Sequence, residues 1–328
     1  MRFRLQRESN GLVTYMGNPN MQLEKTISYE LGFEQNVMDQ FLVNIAAYYK
    51  DVHNQPGWIY YQNINTSVHY YEATSNNYAD IRGFELTLTR VGNSWISGFI
   101  NYTYDVQSSG YFDLTSYYQD VSKQRSYLQL NPYQSKPHPQ PFARANLTLR
   151  TPDEFGPPIL GVKPLGGWSL NILGNWQSGS YATYNPNSIP GVVDNVQWRD
   201  NFDVDLRVMK TVALYGLEVQ LYMDIQNVFN FKFLNFAGFA DSYDYQDYLA
   251  SLCFPWMDGD KKGDDRIGDY RADDVAYDPL EANPNNDPAI SARNQVRKDK
   301  KSYIDMPNIT SMTYLNPRNW LFGVRVSF

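Results

Sequence analysis

An acidic run in the last third of the chain has the spacing of a metal-binding loop. Asp258, Asp260, Asp264 and Asp269 take positions 1, 3, 7 and 12 of a calcium-loop pattern, and Gly263 takes position 6. Carboxylates at such intervals can surround a hard cation, and the glycine lets the backbone turn. Three basic residues interrupt the run, however: Lys261, Lys262 and Arg266. Lys262 stands at position 5, where a ligand is expected. Two interpretations therefore stay open, a calcium site and a solvated charged turn.

Aromatic side chains are the second group with binding chemistry. They make up 16% of the 328 residues, including 27 Tyr, which is more than an ordinary soluble core needs. Flat rings with polar tips suit sugars, peptides and metal chelates. The candidate ligand-binding residues are Trp58, Tyr60, Tyr61, Tyr111, Tyr118 and Trp198. The alternative is that loop aromatics pack only against one another.

Catalytic chemistry finds little support. The three histidines, His53, His69 and His138, lack zinc-site spacing, and the sequence has no P-loop, no G-x-S-x-G and no dinucleotide fingerprint. We therefore predict that the protein is not an enzyme and has no catalytic residues. We expect no cofactor other than the calcium ion of the alternative given above. The single Cys253 cannot form an intrachain disulfide.

The elements that must position these residues show strict alternation of apolar and polar side chains, which predicts strands with one dry and one wet face. Nine segments alternate in this way. If residues 2–13 also form a strand of the up-and-down order, there are ten. The nine segments are 26–35, 39–51, 82–90, 94–105, 141–150, 167–176, 202–210, 217–229 and 319–328.

The connections between these strands alternate between short and long. Short connections at one end and long ones at the other are typical of an outer-membrane barrel, with periplasmic turns and extracellular loops. The short connections are 36–38, 91–93, 151–166 and 211–216, and the long ones are 52–81, 106–140, 177–201 and 230–318. We predict an all-β, antiparallel, up-and-down transmembrane barrel with long extracellular loops. A soluble carbohydrate-binding sandwich is the less favoured alternative.

Charge and targeting signals narrow the function classes. With 28 Lys and Arg against 35 Asp and Glu the net charge is −7, so nucleic acid is not an expected partner. No apolar run approaches the roughly 20 residues of a spanning helix. The first residues lack a signal-peptide core, so either the protein is not exported or its true N-terminus lies upstream.

Three motifs resemble those of the TonB-dependent outer-membrane receptors. The first motif is an Asn-Pro and a Leu-Glu that precede a strand reading Tyr-Glu-Leu-Gly. The second, Arg-Gly-Phe-Glu, opens a strand. The third, Asn-Val-Phe-Asn, closes the penultimate strand. They are Asn18, Pro19, Leu23, Glu24, Tyr29, Glu30, Leu31 and Gly32; Arg82, Gly83, Phe84 and Glu85; and Asn227, Val228, Phe229 and Asn230.

The resemblance implies a 22-stranded barrel of the Gram-negative outer membrane that takes up nutrients such as an oligosaccharide, a peptide or a metal chelate. It implies a TonB-type energy transducer acting through a plug, and outer-membrane lipid and a surface lipoprotein as further partners. We expect 1–328 to be the C-terminal part of the barrel, about ten strands without a plug, with 230–318 as a long extracellular loop too polar for much of a core. A small passive barrel, a pore or an adhesin, is the alternative.

The last strand, 319–328, resembles the C-terminal signature that the barrel-assembly machinery reads. Its apolar side chains alternate and the chain ends on an aromatic residue. The predicted assembly signal consists of Trp320, Phe322, Val324, Val326 and Phe328.

Overall fold

The computed structural model describes residues 5–7, 13–90, 95–130, 134–135, 138–159, 163–189, 191–214, 216–234, 239–272, 274–306 and 317–327. Fifteen strands and three α-helices lie in these ranges. The strands are β1 Leu5–Arg7, β2 Val13–Met16, β3 Lys25–Val37, β4 Phe41–Gln62, β5 His69–Arg90, β6 Ile96–Tyr111, β7 Ser116–Tyr118, β8 Gln134–Ser135, β9 Phe142–Arg150, β10 Trp168–Gln177, β11 Tyr181–Ala182, β12 Val196–Gln197, β13 Asn201–Leu214, β14 Leu217–Gln226 and β15 Asn319–Ser327. The helices are α1 Val121–Leu130, α2 Ser242–Ser251 and α3 Pro288–Asp299.

Nine strands form one antiparallel meander in the order β3, β4, β5, β6, β9, β10, β13, β14, β15, and each pairs with the next. These are the nine strands that alternation predicts, so the all-β, up-and-down prediction is confirmed. Within the described ranges, β3 pairs only with β4 and β15 only with β14, so the sheet is not closed into a barrel.

The hairpin of β4 and β5 is far longer than predicted. The segment 52–81, expected to be a loop, continues both strands to a turn at 63–68. The register shifts between Val52 and Gln55 and again between Gln55 and Gly57, and Asn54 has φ of 59°. A bulge moves the following side chains to the other face, so the two-residue period is broken although pairing continues. The loop prediction for 52–81 is therefore wrong.

The apolar sets of the separate strands share one face. The register places Phe33 opposite Ile45, and the same row continues through Leu86, Tyr102, Ala143, Trp176 and Phe202. Many of these side chains are exposed; Leu31 is 78% and Phe322 73% exposed. A second layer does not cover this face in the described residues, which removes the sandwich alternative. An exposed, continuous apolar face is what a lipid-facing wall requires.

The other face carries charged and amide side chains of both signs. Arg207 Nε and Nη2 donate to the two carboxylate oxygens of Asp224 at 2.6 and 2.7 Å, across the β13–β14 pair. Asn171 donates to Asn146 Oδ1 at 2.7 Å and to Thr148 Oγ1 at 2.9 Å. These polar groups are thus satisfied by cross-strand partners on the inward side of the wall.

Apart from the β4–β5 connection, which is a turn at 63–68 instead of a long loop, the connections are sorted as predicted. The turns after β3, β5, β9 and β13 lie at one end of the sheet, and the longer connections after β6, β10 and β14 lie at the other. None of the helices in the described ranges is long and apolar enough to cross a membrane.

The long insertion between β14 and β15 contributes nine of the ten buried residues of a hydrophobic core, contrary to the expectation that it is too polar for much of one. The cluster joins α2, the segment after it and the residues that follow α3 to the connection between β10 and β13. Its buried members are Val196, Leu234, Tyr248, Leu249, Leu252, Cys253, Phe254, Ile267, Tyr303 and Ile304. The average composition of the insertion is polar and does not predict this core, because most of its large buried side chains are concentrated in two short segments, 248–254 and 303–304.

Candidate functional site

The far end of the β4–β5 hairpin projects beyond the part of the sheet that a membrane would cover. β4 has 22 residues, which at about 3.3 Å each gives a strand about 70 Å long, whereas about 9–11 residues cross a bilayer. Counted from the short turn at Phe41, the residues after about 51 therefore lie outside the membrane. Four of the six predicted ligand-binding aromatics lie on this hairpin and on β7, which pairs with it: Trp58, Tyr60, Tyr61 and Tyr118.

One face of the projecting hairpin carries a group of packed rings around Tyr60. The ring centroid of Tyr60 lies 5.0 Å from that of Tyr71 and 5.9 Å from that of Tyr118. Tyr15 stacks on Tyr71 at 5.0 Å and meets the edge of Trp58 at 5.1 Å. Burial among these rings raises the pKa of the Tyr60 hydroxyl, so it stays protonated and able to donate.

The opposite face of the hairpin holds a second, separate stack. Tyr61 lies between Tyr70 and Tyr117, with centroid distances of 4.9 and 5.3 Å and nearly parallel planes. Tyr117 also donates to Asp113 at 3.1 Å. The alternation of side chains along β4 and β7 therefore assigns Tyr60 and Tyr118 to one face, and Tyr61 and Tyr117 to the other.

Helix α1, which lies in the segment predicted as a loop at 106–140, closes one side of the Tyr60 face. Asp120 begins the helix by accepting the Ser122 hydroxyl at 2.6 Å and the N–H groups of Lys123 at 3.3 Å and Ser122 at 2.8 Å. These bonds, the hydroxyl bond above all, lower the pKa of its carboxyl. Gln124 Oε1 accepts the Tyr118 N–H at 2.6 Å, and the Thr115 N–H donates to the Tyr127 hydroxyl at 3.0 Å. The helix is thereby fixed against β7.

The space between α1 and the hairpin is an open groove of about 650 Å³. It is lined by Tyr60, Gln62, Tyr118, Ser122, Lys123, Ser126 and Tyr127. Gln62 Nε2 donates to the Tyr60 hydroxyl at 2.8 Å, and Lys123 Nζ donates to Gln62 Oε1 at 3.3 Å. In the described part of the chain, the hydroxyls of Tyr118 and Ser126 make no hydrogen bond. The groove thus offers ring faces, free hydroxyls and one ammonium, and its described lining contains no carboxylate.

The remaining two predicted aromatics lie elsewhere. Tyr111 ends β6 opposite Asn77, and Trp198 forms a parallel bridge with Ile267 and packs against the core of the insertion. The structure therefore brings Tyr60 and Tyr118 into one groove, with Trp58 beside it. It does not bring Tyr61, Tyr111 or Trp198 there. Ser126 and Tyr127 are not among the predicted ligand-binding residues, although an Asp-x-Ser helix start at 120–122 is a signal for α1.

The structure does not bring the four predicted calcium residues together: Asp264 and Asp269 lie beside a lysine, whereas Asp258 precedes a short 3-10 turn at Gly259–Lys261. Asp260, within that turn, accepts a hydrogen bond from Ser291 Oγ at 3.4 Å. Lys301 Nζ contacts Asp265, whose side chain has no exposed surface, and lies 3.5 Å from Asp264 and from Asp269. Asp269 also pairs with Arg199 at 3.3 Å, and Asp264 is 99% exposed. No group of three or more His, Cys, Asp or Glu in the described ranges is arranged to hold a metal ion. Calcium binding stays a prediction without geometric support.

Asp265 organises the core of the insertion around these charges. Its Oδ2 accepts the Cys253 N–H at 2.7 Å and the Tyr303 hydroxyl. Burial lowers the pKa of Lys301, but the bond and charge of Asp265 outweigh it and raise the pKa overall. Burial and the same carboxylate raise the pKa of the Tyr303 hydroxyl. The carboxylate is therefore balanced by an ammonium and two further donors.

A single antiparallel sheet with an exposed apolar face, short turns at one end and aromatic loops at the other defines an outer-membrane β-barrel protein. The family described as TonB dependent receptor-like, beta-barrel matches residues 3–228, more than half of the chain. The chain belongs to this family, whose members are receptors and transporters of the outer membrane.

Two solved structures resemble the chain at low identity. They are the FrpB iron transporter from Neisseria meningitidis (15% identity, TM-score 0.40, 67% of this chain and 29% of that chain covered) and the outer membrane transporter YddB from Escherichia coli (9%, 0.42, 66% and 30%). The chain thus spans less than a third of either transporter. No curated protein matches it by sequence.

Proposed function

We propose that the protein takes part in energy-coupled uptake of an oligosaccharide, captured at the groove between α1 and the β4–β5 hairpin. The family supports uptake, with the TonB-type transducer as the partner that supplies energy. The observation that carries the ligand class is the lining of the groove, which offers ring faces and free hydroxyls, with no carboxylate among the lining residues that the structure describes.

The chemistry of the groove favours a hydroxyl-rich ligand over the other classes. Aromatic faces stack on the C–H faces of sugar rings, and the Tyr118 and Ser126 hydroxyls can exchange hydrogen bonds with sugar hydroxyls. A cationic peptide would find Lys123 and no compensating carboxylate among the described lining residues. Lys123 would also accommodate an acidic sugar.

The test is binding of the purified protein to a glycan array, with Tyr118→Ala and Tyr117→Ala as matched variants. The two residues are neighbours on β7 but lie on opposite faces. We expect Tyr118→Ala to weaken binding of the glycans that the wild type retains by about tenfold, corresponding to about 1.4 kcal/mol. Tyr117→Ala should leave it unchanged. Absence of any bound glycan, or equal binding by both variants, would contradict the proposal.

Energy coupling is tested in cells. Uptake of a glycan identified on the array should cease in a strain that lacks the TonB-type transducer, while binding to the cell surface persists. Uptake that is independent of the transducer would indicate passive diffusion instead.

A further inference from the structure

A second cavity lies at the opposite end of the sheet, among the short turns and on the apolar face. It has a volume of about 360 Å³ and is lined mainly by Trp95, Ile96, Leu149, Trp168, Leu170 and Val208. Nothing in the capture of a ligand at the long-loop end involves these residues. In the orientation of an outer-membrane barrel, this end is the periplasmic one.

The register fixes the direction in which this cavity opens. Ile96 lies opposite Leu149, Leu149 opposite Leu170, and Leu170 opposite Val208, so one row of four strands forms its floor. These residues belong to the apolar face that points to lipid. The cavity is therefore open to the hydrocarbon region of the membrane, where the available occupant is a lipid chain.

Two tryptophans form the walls of the groove, and each is held in place. Trp95 meets Phe155 edge to face at a centroid distance of 4.7 Å and an angle of 89°. The indole N–H of Trp168 donates to the Pro164 carbonyl at 2.8 Å. Because both rings are fixed by neighbouring turns, the groove is formed before any occupant arrives, and tryptophan at this level is typical of the membrane interface.

A cation lies next to the groove on the same outward face, because Lys210 follows the lining residue Val208 by two positions on β13. Lys210 is the register partner of Trp168, and its Nζ lies 5.6 Å from the centre of that ring. Nζ donates to the carbonyls of Gly166 and Lys163, and Lys210 forms no ion pair with a carboxylate of the described residues. Three acids line the same space as Lys210, namely Asp153, Glu154 and Glu218. Glu154 is paired with Lys163. A lysine at this depth extends its ammonium towards the headgroups.

We propose that this groove binds one acyl chain of a glycerophospholipid of the periplasmic leaflet, and that the Lys210 ammonium binds the headgroup phosphate. The apolar floor and walls contact the chain. The ammonium has two donors directed at backbone carbonyls and a third for a phosphate oxygen.

The experiment is native mass spectrometry of the detergent-purified protein, exposed to phosphatidylglycerol and to diacylglycerol with the same chains. Val208→Trp fills the groove, and Val43→Trp is its control, since Val43 belongs to the apolar face on a distant strand. We expect the wild type and Val43→Trp to retain one phosphatidylglycerol, and Val208→Trp to retain at least tenfold less. Equal retention by the two variants would overturn the site.

The headgroup contact is tested separately. Lys210→Gln should reduce the preference for phosphatidylglycerol over diacylglycerol by about tenfold. Lys25→Gln is the control and should leave the preference unchanged, because it removes an exposed lysine at the start of β3, at the end of the sheet away from the short turns. An unchanged preference in Lys210→Gln would overturn the phosphate contact. Each variant is first shown to be folded by its heat-dependent migration in gels, and Leu149→Phe is the substitute filling variant if Val208→Trp does not fold.

Discussion

Tyr48 lies directly opposite Gly83 on the neighbouring strand, and its hydroxyl is 2.9 Å from the position that a Cβ at Gly83 would take. The Tyr104 carbonyl oxygen would lie 2.5 Å from the same Cβ. The same arrangement recurs where Tyr222 lies opposite Gly323 on the last strand pair. An aromatic ring that covers a cross-strand glycine protects the exposed backbone of the sheet. The glycine of the Arg-Gly-Phe-Glu motif is therefore explained by close packing.

This close approach predicts that Gly83→Ala destabilises the sheet. The added methyl group meets a backbone oxygen that cannot move freely, so we expect a loss of about 1–3 kcal/mol in the free energy of unfolding. Urea unfolding of the protein in detergent measures it. Gly32→Ala is the matched control, because a Cβ at Gly32 meets nothing within 4 Å. Equal stability of the two variants would show that Gly83 is not required by packing.

The buried carboxylate of Asp265 predicts a strong effect of Asp265→Asn on the insertion. The change removes the nearest partner of Lys301, whose side chain is 31% exposed and whose ammonium keeps Asp264 and Asp269 at 3.5 Å, so we expect a loss of about 1–3 kcal/mol in the free energy of unfolding. Hydrogen exchange of the Cys253 amide, which donates to Asp265 at 2.7 Å, should become much faster. Asp264→Asn, at a side chain that is 99% exposed, should leave the exchange rate within experimental error. Unchanged exchange in Asp265→Asn would contradict the assigned role.

Glu281 predicts acid sensitivity of the same insertion. Bonds from Arg293, at 2.9 Å from Nε, and from Arg297, at 2.8 Å, lower the pKa of Glu281 from 4.5 to about 2. A lowered pKa contributes stability that is complete above pH 4.5 and is lost as the pH falls towards 2. Cleavage of the insertion by pepsin should therefore accelerate as the pH falls from 4.5 towards 2. In Glu281→Gln the cleavage rate should depend less on pH than it does in the wild type. A wild type and variant with parallel pH profiles would refute the assignment.

Chelation separates the two interpretations of the acidic run. Because Lys301 already lies among Asp264, Asp265 and Asp269, we expect EGTA to leave protease cleavage within 255–275 unchanged. Cleavage that accelerates on chelation and slows when calcium is restored would establish the calcium site instead.

The strands could be predicted because a wall with one dry face imposes a two-residue period on every element. β9 and β10 are bounded within a residue of their predicted ends, since their alternation is unbroken. The assembly-signal residues Trp320, Phe322, Val324 and Val326 lie on the exposed apolar face of β15, and Phe328 lies outside the described residues. Their recognition by the assembly machinery stays a prediction.

The ligand groove could be predicted only in part. Residue type predicts Tyr60 and Tyr118, but it also groups Tyr61 with them, although Tyr61 lies on the other face. The bulge at 53–56 changes the parity of β4, and no local pattern records the face on which side chains emerge after it. Ser126 and Tyr127 reach the groove through α1, a short polar helix whose amphipathic signal is weak.

The sequence by itself determined the strands, their order along the chain, the sorting of turns and the face that meets lipid, because these follow from local periodicity. Only the tertiary structure decided which aromatics share a groove, that the insertion has a core around Asp265, and that Lys210 lies beside an apolar cavity. Those relationships join residues far apart in the chain, and register, bulges and packing between elements set them.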